Sequence, residues 1–564
     1  MLAAVSVIAA IYLLPTELVD YSKSMLAATS SSSNFYFWQH SGYFDSPLSK
    51  PLLHTWSLAV EEQFYLTFPI FLFLVRKWFP LRLKSAVIVL FFASLVASAG
   101  VVLKDQNTAF YMPYTRAWEL LMGTILSLGL FPRLHAPWQR NLFTLAGLAM
   151  IAVSVGVYTS TTLFPGLSAI LPCLGSALII GAGESGGSLV GAALSWRPVV
   201  FVGLISYSLY LWHWPVIVFQ KICTFVSASD IVPARYAMRI SEARFDVLFE
   251  FVASLLFATL SWRFVERPFR SGPLKLSGRP LFALAGAVVF TFLSISAGII
   301  YLDGLKSRFP PESVQLASYL DETQDNKTMR EGTCFIDSAG HFEDFPVDTC
   351  LRPDPVKKNY LLLGDSHSAM LWAALESSVP NAHFMQANAS GCVPLVHATG
   401  SADCRKMMDY IYEQYLVKHP IQGILLEARW QEKYLSGLGE TLSWVRERQI
   451  PVILLGPVPE YDAPLPRLLA YSVAWGKPTL ANMHRMANEA PLDAEMEGKA
   501  RDEWHVPYVS LYQEICPPQG CTEFADAAHT IPLMSDTDHL NRFGSLLTVR
   551  RLLDEGKLSL NGTE

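Results

Sequence analysis

Up to about residue 302 the chain is a succession of apolar runs near 20 residues long, and this pattern limits its fold more than any other feature. A helix rising about 1.5 Å per residue needs roughly 20 apolar residues to cross a hydrocarbon core about 30 Å thick. The runs predict spans at roughly 1–14, 61–77, 84–104, 117–131, 141–158, 164–182, 198–220, 245–264 and 280–302. The first and fourth are short for a crossing. A single run would also suit a buried core helix. The series would not, because one soluble core cannot cover so many helices that are apolar all round. Composition agrees: 51% of the 564 residues are hydrophobic and 16% are charged, against about 25% charged in soluble domains. A lipid bilayer is therefore an expected partner. The net charge of −6 offers no basic face, and no nucleic acid is expected as a partner.

Lys and Arg collect in cytoplasmic loops and set orientation. Arg76, Lys77, Arg82 and Lys84 share one loop, Arg133 and Arg140 follow two spans later, and Arg267, Arg270, Lys275 and Arg279 precede the last span. With nine spans these loops fall on one side, and the last span delivers the rest of the chain to the opposite face. Lys221, Arg235, Arg239 and Arg244 run against that assignment.

Beyond 302 charged residues return. Six of the eight cysteines lie there, as three close-spaced couples. An even set of this kind fits disulfides in an oxidising compartment. Because short loops close easily, the expected bonds are Cys334–Cys350, Cys392–Cys404 and Cys516–Cys521. No CxxC pair is present, and no metal site is expected.

Residues 303–357 read as a linker, broken by Phe309-Pro310-Pro311, and 358–564 as a separate domain. The run Tyr360-Leu361-Leu362-Leu363 reads as a buried strand ending in Gly364-Asp365-Ser366-His367, with a helix after it. Further strands are expected at 383–387, 423–428, 452–456 and 507–511, with helices near 404–418 and 438–448 between them. Such alternation predicts a parallel sheet covered on both faces, whose ligands sit at the carboxyl ends of strands. Ser366 falls at such an end. A free hydroxyl is a weak nucleophile and needs a base. The best base lies in Ser535-Asp536-Thr537-Asp538-His539-Leu540-Asn541, where Asp536 and His539 are three residues apart. Asp536 would hold one ring nitrogen while the other faces Ser366. His367 adjoins the serine but is expected to point away from it.

Ionisable residues within or beside spans are costly and usually face a cavity or a partner. His54, Glu61 and Glu62 lie in Pro51-Leu52-Leu53-His54-Thr55-Trp56-Ser57-Leu58-Ala59-Val60-Glu61-Glu62-Gln63-Phe64-Tyr65. Arg116 and Glu119 are spaced to pair within one helix. His213 sits in Ser206-Tyr207-Ser208-Leu209-Tyr210-Leu211-Trp212-His213-Trp214-Pro215, and Glu266 and Arg267 open Glu266-Arg267-Pro268-Phe269. Each is a candidate site residue of the membrane half, and each also has a plain packing or ion-pairing reading.

Residues 358–560 resemble an SGNH-hydrolase-type domain, with Gly364-Asp365-Ser366 as its first block and Asp536–His539 as its last. The resemblance implies a flavodoxin-like three-layer α/β sandwich and O-ester chemistry. It implies Ser366, His539 and Asp536 as catalytic residues, and Gly391 with the Ser366 amide as the oxyanion hole. The family's third block normally supplies an Asn in a GxND pattern. Here Leu425-Leu426-Glu427-Ala428-Arg429-Trp430 follows the corresponding strand, leaving Arg429 as a substitute donor or as half of a surface ion pair. Residues 1–302 resemble the acyltransferase-3 membrane family, on the PLLHTWSLAVEEQFY stretch, SYSLYLWHWP and the ERPF ending. Members of that family open with two further spans, which carry a proposed catalytic histidine and an arginine-rich motif. Met1-Leu2-Ala3-Ala4 resembles the start of the third span, so those two are expected to be missing from this sequence.

The two resemblances together are similar to bacterial O-antigen and surface-polysaccharide O-acetyltransferases. They imply a multi-pass protein of the bacterial inner membrane with its C-terminal domain in the periplasm. The implied donor is acetyl-CoA, with no bound cofactor, and the implied acceptor is a surface glycan. An esterase removing acyl groups, or a transporter or scaffold with an external binding domain, are the competing readings.

Overall fold

The computed structural model describes residues 1–40, 50–79, 81–159, 162–227, 239–271, 278–321, 323–337 and 340–560. Arg235 and Lys275, two of the basic residues used for orientation, lie outside them. The chain divides into two units, Met1–Leu305 and Lys306–Glu564.

The first unit is helical. Among the described residues, seven helices are long and apolar enough to cross a membrane: Thr55–Trp78, Leu83–Val101, Pro137–Val157, Gly166–Glu184, Arg197–Ile222, Asp246–Arg270 and Arg279–Tyr301. They correspond to seven of the nine expected spans. The other two are corrected. The run expected at 1–14 is a helix of 11 residues, Leu2–Tyr12. Pro15 starts a new helix there, and the Leu14 amide donates to the Glu17 carboxylate at 3.1 Å. The run expected at 117–131 is a helix of 15 residues, Pro113–Ser127. Its end is set two residues on by Gly129, at φ +65°, where glycine carries no steric cost. Two of the spanning helices meet through small residues: a Cβ on Gly147 would lie 2.5 Å from the Gly175 carbonyl, and one on Gly175 would lie 2.7 Å from the Gly147 carbonyl. Close backbone approach of this kind substitutes for the hydrophobic effect, which lipid cannot supply.

The second unit is α/β. Its six strands are β1 (Phe335–Ile336), β2 (Lys358–Gly364), β3 (Ala382–Ala389), β4 (Gly423–Glu427), β5 (Val452–Leu455) and β6 (Tyr508–Val509). They form one sheet in the order β1-β3-β2-β4-β5-β6, with every pairing parallel. Without the short edge strand β1, this is the flavodoxin-like order, in which the first strand lies inside the sheet, second from one edge. β2 and β4 are near-continuous apolar runs because a parallel sheet is covered on both faces; Leu361, Leu362, Leu363, Ile424, Leu425 and Leu426 are fully buried. Ile336, Leu363, Met385, Leu426, Leu438 and Trp504 belong to one continuous core.

The segment read as a linker folds into this unit. The Ser313 hydroxyl donates to the Ala470 carbonyl at 2.7 Å, and β1 pairs with Asn388 and Ala389 of β3. Its polar composition concealed this. A two-residue strand and the Cys334–Cys350 bond leave little periodicity to read. All three expected disulfides are present, Cys392–Cys404 and Cys516–Cys521 being the others.

Candidate active site

β2 delivers Ser366, the candidate nucleophile. A Cβ on Gly364 would strike the Glu427 backbone on β4 and lie 2.8 Å from the Ser368 side chain, so only glycine lets the helix Ser366–Ala369 start this close to the sheet. Asp365 caps that helix. One carboxylate oxygen accepts the His367 amide at 2.9 Å and the other accepts the Arg429 amide, in the loop after β4, at 3.0 Å. The cap thus fixes Ser366 against two neighbouring strands.

The candidate base, His539, comes from the other end of the unit. Asp536 Oδ1 accepts the backbone amides of Asp538 at 2.9 Å and His539 at 2.6 Å. This local turn leaves Oδ2 free to hold His539 Nδ1 at 2.6 Å. Asn541 caps the following helix, Arg542–Asp554, and the Leu540 amide contacts Met370 Sδ at 3.1 Å, beside the nucleophile's helix. His539 Nε2 is then 2.8 Å from Ser366 Oγ. Ser366, His539 and Asp536 are all half-buried.

The charges around the site differ in kind. Burial alone would lower the His539 pKa, but the Asp536 and Asp538 carboxylates outweigh it and hold the imidazole well above its ordinary value. Asp538 is buried, yet bonds from His367 and His539 keep its carboxyl below the usual range. Beneath the serine, burial raises the Asp365 carboxyl. Burial, then repulsion from Asp365, raises Glu427 well above the ordinary carboxylate range.

Gly391 lies just past β3, at φ +62° and exposed, one residue before the Cys392–Cys404 bond. β3 is the immediate neighbour of β2 in the sheet. Arg429 is held as an ion-pair residue. Its guanidinium donates to Glu460 at 2.9 and 2.6 Å and lies 3.1 Å from Asp538 Oδ2. His367, expected to point away from Ser366, contacts two carboxylates. Its Nε2 is 3.4 Å from Asp538 Oδ2, and its Nδ1 is 3.8 Å from buried Glu427. Asp365, Asp538, Glu427 and Glu460 were not singled out from sequence. The signal for Asp538 was legible in Asp536-Thr537-Asp538-His539, which sets two carboxylates beside one imidazole.

In the helical unit the candidates do not gather at one point. Buried His54 has its ring centroid 5.7 Å from that of His213 and 5.6 Å from that of Tyr210. The Tyr210 hydroxyl donates to the His54 carbonyl at 2.8 Å and also meets Ser57 Oγ. The two most distinctive membrane-half motifs therefore meet. Glu61 accepts the Tyr65 hydroxyl at 2.6 Å, whereas Glu62 lines a cavity of about 480 Å³ with Thr55, Tyr207 and Leu211. Arg116 pairs with Glu119 at 2.9 Å and lies over Trp56, Phe110 and Phe164. Glu266 accepts Ser208 Oγ at 3.0 Å, and Arg267 lies over Trp262.

Comparison with known proteins bears on both units. Residues 333–554 match the SGNH domain that occurs fused to AT3 domains. The chain is 27% identical over 393 residues to O-acetyltransferase OatA of Staphylococcus aureus strain MRSA252, covering 65% of this chain and 60% of the relative. It is 30% identical over 282 residues to peptidoglycan O-acetyltransferase OatA of Listeria monocytogenes, covering 47% of this chain and 43% of the relative. The chain thus spans at most about 60% of the length of these relatives. The periplasmic domain of the lipopolysaccharide acetyltransferase of Salmonella serovar Paratyphi A aligns at a TM-score of 0.37 and 18% identity, covering 43% of this chain and 98% of that one. The acyltransferase domain family matches residues 1–296, more than half of the sequence, and the chain belongs to that family.

Proposed function

We propose that this protein transfers an acetyl group to a hydroxyl of a bacterial cell-surface polysaccharide, through an acyl-serine formed on Ser366. The observation that carries the reading is the contact of Ser366 Oγ with His539 Nε2 at 2.8 Å, with Asp536 on the opposite ring nitrogen at 2.6 Å. It occurs in a chain whose other unit belongs to an acyltransferase family. The names of the relatives support O-acetyl transfer.

In this scheme His539 takes the Ser366 proton as Oγ attacks the acyl carbonyl, and returns it to the departing donor group. The Ser366 and Gly391 amides hold the oxyanion. A sugar hydroxyl then gives its proton to His539 and attacks the acyl-serine, and collapse restores Ser366. Asp536 fixes the ring tautomer and stabilises the imidazolium. Acetyl-CoA on the cytoplasmic side is the proposed donor, with the helical unit passing the acyl group across the inner membrane. Three disulfides support an oxidising, periplasmic setting for the α/β unit.

Lipopolysaccharide O-antigen is the acceptor we favour, and peptidoglycan is the alternative. The test is the acetyl content of both polymers in cells carrying the wild-type chain or Ser366→Ala, with membrane insertion verified. Acetyl groups gained only with wild type, on one polymer, fit the proposal and name the acceptor. Unchanged acetylation in the variant would remove the serine from the mechanism. Loss of acetyl groups on expressing wild type would make the protein an esterase.

A further inference from the structure

Two carboxylates approach the same imidazole nitrogen. His539 Nδ1 lies 2.6 Å from Asp536 Oδ2 and 3.2 Å from Asp538 Oδ1. Asp536 is half-buried, whereas Asp538 is 4% exposed. A buried carboxylate is tolerated only when it is paired and hydrogen-bonded. Asp538 meets that condition through groups from three parts of the chain. His367 Nε2, from the nucleophile's helix, is 3.4 Å away. Arg429 Nε, from the loop after β4, is 3.1 Å away. Thr537 Oγ1 donates at 3.0 Å from its own turn. The His367 ring stands edge-on to that of His539, with centroids 4.9 Å apart. The remaining ionisable groups of this neighbourhood are Asp365, Glu427 and Glu460.

We propose that Asp538 and His367 are positioning residues for this site: the Asp538 carboxylate is a second acceptor for the proton on His539 Nδ1, and His367 with Arg429 holds that carboxylate in place. The proposal rests on the reading of Ser366, His539 and Asp536 as the catalytic set. The arrangement divides labour. Asp536 makes the shorter bond from a half-buried position, while Asp538 makes a longer one from a buried position. When the Asp536 side chain turns towards solvent, the imidazole keeps its tautomer and its aim at Ser366.

The test uses the full chain in membranes and follows covalent labelling of Ser366 by a fluorophosphonate probe across pH. In a triad with a single acidic member, amidating that acid costs about 10⁴-fold. Here Asp536→Asn is expected to cost only about 10²-fold, and the double variant Asp536→Asn/Asp538→Asn to fall to the full loss. Asp538→Asn moves the acid limb of the rate profile to lower pH, because removing a negative charge beside an imidazole lowers its proton affinity. A purely structural role would not move that limb. Should Asp538→Asn fail to accumulate, His367→Leu carries the test through the same shift, with His367→Gln, which still donates, restoring part of the rate.

An unmoved limb in these variants, or an Asp536→Asn loss equal to that of the double variant, overturns the proposal. So does labelling that a chelator abolishes and zinc restores, because the donor atoms of His367, Asp538 and His539 lie within 4.8 Å of one another and would then be metal ligands. Undiminished labelling in Ser366→Ala would instead overturn the underlying catalytic reading.

Discussion

The two units use polar residues in opposite ways. In the helical unit, Arg116 with Glu119, Glu61 with Tyr65 and Glu266 with Ser208 are separate local pairs. In the α/β unit, Ser366 after β2 and Asp536 in the turn before the last helix meet one imidazole, that of His539, and Arg429 in the loop after β4 reaches Asp538 beside it. The difference follows from the surroundings. Large side chains such as Leu66, Phe73, Val155 and Phe282 face outward from the helices, where lipid penalises each unpaired polar group separately. The α/β unit buries apolar residues on its sheet, such as Leu363, Met385 and Leu426 in one core and Leu362, Leu425 and Phe384 outside it, and the carboxyl ends of its strands leave a place where polar side chains can meet. Among the described residues, polar side chains therefore cluster in the second unit, while in the first His54 and His213 bring their rings within 5.7 Å of each other.

The largest expected effect tests that concentration. Ser366→Ala or His539→Ala should lower glycan acetylation by about 10⁴-fold or more with no change in membrane abundance. Residual transfer near wild type would move the chemistry into the helical unit. Next, His54→Ala should reduce acetylation by about 10²-fold, the scale of one acid–base group, and leave fluorophosphonate labelling of Ser366 unchanged. Parallel loss of labelling would show that the two units do not act separately.

A smaller effect is expected with pH. His539 must be neutral to act as a base, and the neighbouring carboxylates raise its pKa. Labelling should therefore fall as pH drops through a midpoint above about 6.5, the ordinary imidazole value; a midpoint below that would contradict the charge arrangement. The smallest effect concerns Glu427, whose carboxyl is raised by burial. Above the unfolded value of about 4.3 the unfolded chain releases this proton more readily than the folded one, so folding weakens as pH rises. Glu427→Gln removes that penalty. It should raise the melting temperature at neutral pH, with the gain vanishing towards pH 4. A gain that is equal at both pH values would sink this account.

Much of this was legible in the sequence. All five expected α/β strands sit within two residues of their forecast ends, because buried parallel strands are uninterrupted apolar runs bounded by polar loops. The fifth, expected at 507–511, shrinks to Tyr508–Val509. Ser366, His539 and Asp536 were readable because Gly-Asp-Ser and Asp-x-x-His carry their geometry locally. Asp538 had a local signal beside His539, but its contacts with His367 and Arg429, distant in sequence, did not. Seven of the helical unit's nine expected spans were readable, and the two read as short are helices of 11 and 15 residues. Hydropathy registers apolarity, whereas Pro15 and Gly129 end helices through backbone geometry.

The bond between Cys392 and Cys404 staples the turn that carries Gly391. On the proposed mechanism, a freshly synthesised lobe held in a reducing cytosol would lack that staple and carry a slack anion cradle. Export would then double as maturation. The lobe would gain full acyl-transfer potency only after leaving the compartment in which thioester metabolites could be squandered.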